Sequence, residues 1–280
     1  MRFESQTVIN YTMVYFKCYI SSMTLYTESK INHLLASNPQ GVVLTSAKLD
    51  AQGFSHALQH HYEQAKWLRS IGVGAYIRTG DDVDIFGGLY GLDGTSAEST
   101  HIAGRTALQL LGRAQYLEEQ PSQIVLMAST NSQLPKWFRS RQWRVDFSFH
   151  TSNFLPADLD IEAFPIKQFS VSISGVARAM LECCYLAPNL QELSECYELM
   201  EGLNNLHPTI VQSLLEQCGS IKAKRLFLFL ADHFQHAWFD FLDPSTINLG
   251  KGKRQIATED AQYDSKYQIT VPKEWRTDGE

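Results

Sequence analysis

The stretch from position 54 to 80, FSHALQHHYEQAKWLRSIGVGAYIRTG, constrains the fold more than any other part of the chain. Ser55 is placed to cap a helix that runs about three turns to Lys66, and Gly53 stops the segment before it. At 100° per residue, a buried face centred on Leu58 takes in Tyr62 and Ala65, with His61 at its edge. His56, Gln59, His60, Glu63 and Gln64 then point outward. No linker follows. Residues 67–70 and 75–78 can pair as strands across IGVG, whose glycines supply the positive φ of a tight turn. Upstream, residues 27–37 read as a first helix, with Thr27 as cap and Ile31, Leu34 and Leu35 on one face. Residues 42–44 read as a short strand, and 45–53 as a short helix capped by Thr45.

Helix, strand, short helix, tight turn, second helix and hairpin is the order of a winged helix-turn-helix. In that layout the second helix offers polar groups to base edges, and the hairpin rests on the sugar–phosphate backbone. The expected base contacts are Ser55, His56, Gln59, His60 and Gln64. Arg69 and Arg78, one on each arm of the hairpin, are the expected backbone clamps, with Lys48 of the positioning helix beside them. Charge follows the same division. The chain carries −6 overall, yet its first 80 residues hold seven Lys or Arg against four Asp or Glu, a net +3. The remaining 200 carry −9. A basic front on an acidic body suits a protein whose front alone meets phosphate. Histidines neutral at pH 7 add little attraction, so weak single-copy binding and a homodimer on a palindromic site are expected.

Beyond residue 80 the pattern is α+β. A Gly-rich helix covers 81–92, and HIAGRTALQLLG reads as a short strand followed by a helix that Gly112 ends. QIVLMAS, WRVDFSFH, IEAFPI and FSVSI read as strands. Residues 175–188 form a helix stopped by proline, 190–242 are helical throughout, and the tail is extended around a basic KGKR turn. The expected organisation is a flexible extension over 1–22, a winged helix over 23–80, and a larger mixed α+β domain with a helical cluster over 81–280. The longest apolar run, residues 226–231, is far short of the roughly 18 residues of a membrane span. The amino terminus, broken by Glu4, Asn10 and Lys17, does not match a signal peptide. Five cysteines (18, 183, 184, 196, 218) without C-x-x-C spacing read as reduced thiols. A cytoplasmic protein with no membrane association is expected.

Three other motifs have simpler readings. His233 and His236 are three apart near Asp232 and Asp240, but no third histidine or cysteine has ligand spacing, so no metal is expected. Asp160, Glu162 and Lys167 loosely echo the acidic pair and lysine of metal-dependent nucleases. The interval from Glu162 to Lys167 is too long for E-x-K on one strand face, and charged residues around a hairpin is the stronger reading. GKGKR lacks the P-loop pattern. Its Lys251, Lys253 and Arg254 are a possible secondary contact to DNA or an acidic partner, or simply a solvated turn.

The segments IKAKRLFLFLADHFQHAW, INLGKGKRQI and DSKYQITVP, together with ELMEGLNNLHPTIVQSLLE, HIAGRTALQLLG and the wing WLRSIGVGAYIR, resemble the AbiEi-type antitoxins of type IV toxin–antitoxin systems, in the branch with its own N-terminal winged helix. The resemblance spans residues 23–272. It implies a bacterial regulator that binds inverted repeats in its own promoter, opposes a toxin of the nucleotidyltransferase type, and has neither catalytic activity nor cofactor. Two positions depart from the family pattern. Val73 stands between the wing-tip glycines where a basic residue is expected, and Gly175-Val176-Ala177-Arg178 replaces a Ser-Pro-Glu-Arg helix start. Of that start only Arg178 carries over, with Glu182 one turn on. Two readings remain beside the antitoxin: a winged helix used only for protein contacts, and a nuclease whose cleavage Asp160→Ala or Glu162→Ala would abolish.

Overall fold

The computed structural model describes residues 30–113, 123–257 and 260–275. The expected extension over 1–22, the Thr27 cap and Cys18 lie outside these residues. A helix at 30–37 (α1) leads to β1 (Leu44–Thr45), α2 (Ser46–Ala51), α3 (His56–Gln64), β2 (Leu68–Gly72) and β3 (Ala75–Arg78). Thr45 caps α2 as its side chain accepts from the Lys48 amide at 3.4 Å. Gly53, at φ +86°, makes the left-handed turn into α3. That helix ends sooner than expected. Lys66 takes a left-handed φ of 58°, which reverses the chain so that the Trp67 amide bonds the Tyr62 carbonyl and β2 begins. The three strands pair antiparallel in the order β1-β3-β2, completing a winged helix.

Alternation along β3 decides how this unit sits. Tyr76 packs toward a small core of Ile31, Leu34, Val42, Leu44, Leu49, Phe54, Tyr62 and Leu68. Ala75 and Ile77 point the other way and join Val43 in the main core of the molecule. A strand's two-residue period thus gives one sheet two buried faces. The wing is anchored as well: a Cβ at Gly72 would lie 2.7 Å from that of Trp137.

The body holds α4 (Ile85–Tyr90), β4 (His101–Ile102), α5 (Gly104–Leu110), β5 (Gln123–Ala128), α6 (Lys136–Ser140), β6 (Asp146–Thr151), β7 (Ile161–Ile166) and β8 (Phe169–Ser174). The helical cluster follows: α7 (Val176–Leu186), α8 (Leu193–Glu201), α9 (Pro208–Gln217) and α10 (Ile221–His233). A five-stranded mixed sheet has the order β6-β5-β4-β8-β7. Helix α7 is buried nearly all round, between α5 and α10, as its apolar sequence dictates. Helix α10 stops short of the expected 242 because Gln235 turns left-handed at φ 50°. A short 3-10 turn, Phe239–Phe241, takes the remainder. Strands β9 (Arg254–Gln255), β10 (Ala261–Asp264) and β11 (Ile269–Pro272) form a third small sheet in the order β10-β11-β9. The molecule is α+β with an N-terminal winged helix.

Two polar knots lie inside. Glu182 is fully buried and accepts from Arg178 Nε (2.8 Å), Ser174 Oγ (2.7 Å), the Gly104 amide (3.0 Å) and His101 Nε2 (3.1 Å). Burial pushes its carboxyl up, but the His101 bond and the charges of His101 and Arg178 outweigh that and hold it below the usual range. Arg178 Nη1 also donates to the carbonyls of Pro156 (2.7 Å) and Leu159 (2.6 Å), so the departed helix start still pins α7 to the β6–β7 loop. Asp160 belongs to this knot: its carboxylate accepts from the Arg178 amide at 3.0 Å. A Cβ at Gly175 would meet that carboxylate at 2.2 Å, which explains glycine there. Asp160 therefore serves the helix start, while Glu162 lies exposed on β7 and Lys167 occupies the β7–β8 turn. The second knot is Arg225, buried beneath the GKGKR loop.

Candidate nucleic-acid interface

The turn of the helix-turn-helix is held by a residue expected to face outward. Gln59 is fully buried, its amide nitrogen donating to the carbonyls of Phe54 (2.7 Å) and Ser46 (3.2 Å) and its oxygen accepting from Ser46 Oγ (2.8 Å). It fastens the start of α3 to the start of α2 and is not available to a base. The physical reason is rotation. The buried stripe runs along Leu58, Gln59 and Tyr62, leaving Ala65 exposed, roughly 50° from the stripe apolar periodicity indicates. A buried amide with three partners is as good a core residue as an apolar one.

The rotation leaves Ser55, His56, Ala57, His60, His61 and Gln64 exposed. Ser55 makes no side-chain cap. Of the expected base readers, Ser55, His56, His60 and Gln64 thus lie together on α3, and His61 joins them. His60 Nδ1 lies 3.6 Å from the Glu63 carboxylate. The face carries donors and acceptors but no lysine or arginine.

The two hairpin arginines part company. Arg69 stands opposite Ile77 and Arg78 opposite Leu68 in the β2–β3 register. Residues directly opposite share a face, so Arg78 lies on the side of the small core and Arg69 on the side of the body. Arg78 is buried and donates to the carbonyls of Leu35 (2.6 Å) and Asn38, closing the end of α1. It is a structural arginine, not a backbone clamp. Lys48 is also engaged: its Nζ pairs with Asp93 at 3.3 Å and covers the Tyr90 ring at 3.8 Å, tying α2 to the end of α4. Its side chain is only 18% exposed, which removes it from the expected backbone contacts.

Arg69 is exposed and has neighbours that sequence reasoning passed over. On the body side, α6 and the residues after it supply Lys136, Arg139, Arg141 and Arg144 within KWFRSRQWR. Burial, and after it the positive charge of Arg69, pushes the Arg141 pKa down, partly offset by Asp82. Arg144 pairs with Asp82 at 2.9 Å. Lys136 and Arg139 are exposed, without a carboxylate partner among the described residues. The signal was legible as four cations in nine residues; what hid it was its distance from the wing along the chain. At the wing tip Val73 is 98% exposed and offers phosphate nothing. Positive charge beside the wing therefore sits on the Arg69–α6 shoulder, not at the tip.

The remaining candidates fall elsewhere. Lys251 and Lys253 lie on the loop before β9 and Arg254 begins that strand, exposed or half-exposed. His233 Nε2 lies 2.8 Å from the Tyr197 hydroxyl and His236 Nε2 2.8 Å from the Met200 carbonyl, while Asp232 engages Lys266 and Tyr267. Among the described residues, no helix is long and apolar enough to cross a membrane.

A winged helix fused through its sheet to an α+β body, with a polar second helix, defines a class of protein by its architecture. Two family models place the chain within that class. Residues 27–119 match the N-terminal domain of the AbiEi antitoxin transcriptional regulators, and residues 121–272 match the transcriptional regulator, AbiEi antitoxin, of type IV toxin–antitoxin systems. The chain belongs to the AbiEi antitoxin family. Its fold is similar to that of the crystal structure of the RV2827C protein from Mycobacterium tuberculosis, at a TM-score of 0.56 and 13% identity over 88% of this chain and 91% of that one. No curated protein matches the sequence.

Proposed function

We propose that this AbiEi-family regulator binds inverted repeats in the promoter of its own operon as a homodimer, represses transcription there, and opposes a cognate nucleotidyltransferase-type toxin in the cytoplasm without being an enzyme itself. The observation that carries this reading is the exposed face of α3. Ser55, His56, His60, His61 and Gln64 present hydrogen-bonding groups on the helix that a winged helix lays in the major groove. Arg69 and the α6 shoulder supply the charge that α3 lacks, and each cation set against a phosphate adds to the salt dependence of binding. Opposition to the toxin rests on family membership alone.

The test is a titration of the full chain with duplex DNA from upstream of its gene, against a scrambled duplex, at several salt concentrations. Preference for the native duplex that His60→Ala with Gln64→Ala reduces toward the scrambled level supports the reading. Equal binding to both duplexes, or none at low salt, sinks it and leaves the winged helix as a protein-contact module. For the toxin, co-expression in a host lacking the operon should restore growth; growth arrest despite full antitoxin levels would remove that part of the proposal.

A further inference from the structure

The loop from Leu249 to Arg254 is built from beneath by a buried cation. Arg225 is only 1% exposed and uses all five of its N–H groups. Nε donates to the Leu249 carbonyl (2.8 Å), Nη1 to the carbonyls of Gly252 (2.6 Å) and Gln268 (3.1 Å), and Nη2 to the Gly250 carbonyl (3.3 Å) and the Gln268 side chain (3.4 Å). Every acceptor is neutral. The guanidinium is thus satisfied in hydrogen bonds but not in charge, and its positive field reaches the loop above it. The contrast with Arg178, whose guanidinium meets Glu182, is direct.

This anchorage sets the direction of the loop's own amides. In a trans peptide the N–H points opposite to the carbonyl that precedes it. With the carbonyls of Gly250 and Gly252 turned in toward Arg225, the amides of Lys251 and Lys253 are turned out. Among the described residues neither amide has a hydrogen-bond partner, whereas the Gly250 amide is taken by Asn248 and the Arg254 amide by the Gln268 carbonyl. Gly250 and Gly252 hold the left-handed φ values of 64° and 78° that the alternation requires. A backbone concavity of this kind receives anions. Around it stand the side chains of Lys251, Lys253 and Arg254, none with a carboxylate partner among the described residues. Lys253 lies over the Tyr263 ring at 4.5 Å, and among the described residues the Arg254 guanidinium bonds only the Lys253 carbonyl.

We infer that the 249–254 loop is a phosphate-binding site, separate from the winged helix, that takes the phosphate group of a nucleotide or of a nucleic-acid strand. Outward amides flanked by three cations suit a small oxyanion with several free oxygens. An acidic protein surface would engage the side chains and leave the amides unused. The site does not depend on α3 reading DNA.

The experiment is calorimetric titration of the full chain with inorganic pyrophosphate, followed by competition with ATP and with an oligonucleotide lacking terminal phosphates and unrelated to the promoter. Saturable binding that weakens at least tenfold in Lys251→Gln with Lys253→Gln, and that Gly252→Ala also weakens although it removes no charge, is the expected result. His60→Ala with Gln64→Ala should leave it unchanged. Displacement by ATP identifies a nucleotide as the source, and displacement by the oligonucleotide alone identifies a strand backbone. Absence of saturable binding, equal binding in the double variant, or displacement only by an acidic peptide overturns the inference. Unliganded melting curves, which the exposed lysine substitutions should not shift, separate loss of the site from loss of the fold.

Discussion

Arg69 and Arg78 stand on facing strands of one hairpin, nine residues apart, and live in different solvents. Arg69 lies in water beside the cations of α6, where its charge is available to a partner. Arg78 is enclosed beneath the end of α1, its Nη2 donating to the Leu35 and Asn38 carbonyls. Among the described residues the interior holds two more of the second kind, Arg178 and Arg225. The difference teaches that an arginine's role here follows from which face of its element it occupies, and that the buried ones are joints between elements before they are anything else.

The comparison breaks most visibly at Arg178. Arg178→Ala leaves Glu182 buried without its guanidinium partner, and denaturant unfolding should show a loss of about 3–5 kcal/mol. A loss below ~1 kcal/mol would mean that His101 alone sustains the carboxylate. The pH dependence carries the same information. Because the folded carboxyl of Glu182 is held below its unfolded value, its contribution is fully present above the unfolded pKa, near 4.5. It is lost as pH falls through the lowered folded value. Removing the Arg178 charge should move that loss to higher pH.

Arg78→Ala comes next, at about 1.5–3 kcal/mol for hydrogen bonds donated by a charged group. Where the variant is still fully folded, its affinity for DNA and its salt slope should match the parent's. A reduced slope would restore Arg78 as a phosphate contact. On α3, replacing His60 and Gln64 together should cost about 1–3 kcal/mol of preference for the native over the scrambled duplex, with little change in stability. Gln59→Ala should do the reverse, unfolding at lower denaturant before it alters sequence preference.

The smallest stability effect belongs to the outer arginine. Arg69→Ala should stay within about 0.5 kcal/mol of the parent in stability, as exposed substitutions do. In binding it should lower affinity evenly across sequences and reduce the salt slope by about one. Arg139→Ala should behave alike if the shoulder acts as one surface. An unchanged slope in both would confine DNA contact to α3.

Much of the fold was readable because local chemistry set it. Thr45 as cap, Gly53 as turn and the glycines of the wing each answer to one backbone requirement, and each stands where the pattern put it. The candidate site was less legible. Periodicity locates an apolar stripe, and it centred that stripe on Leu58, with Tyr62 and Ala65 beside it, because a glutamine does not count as a core residue. Gln59 became one through three hydrogen bonds to residues brought near only by the turn. The α6 cations were visible as a cluster, but nothing local says that Trp137 meets Gly72 and sets them beside the wing.

Taken by itself, the sequence determined the order of elements, the winged helix, the α+β body and the family, because caps, glycines and hydrophobic periods act over a few residues. Which polar groups face water was decided by tertiary structure alone. Strand register sent Arg69 and Arg78 to opposite faces, the seat of α3 on α2 turned Gln59 inward, and the packing of β11 on α10 enclosed Arg225 beneath a loop whose carbonyls it binds. Burial is a property of contacts between distant segments, and a residue's type does not report it.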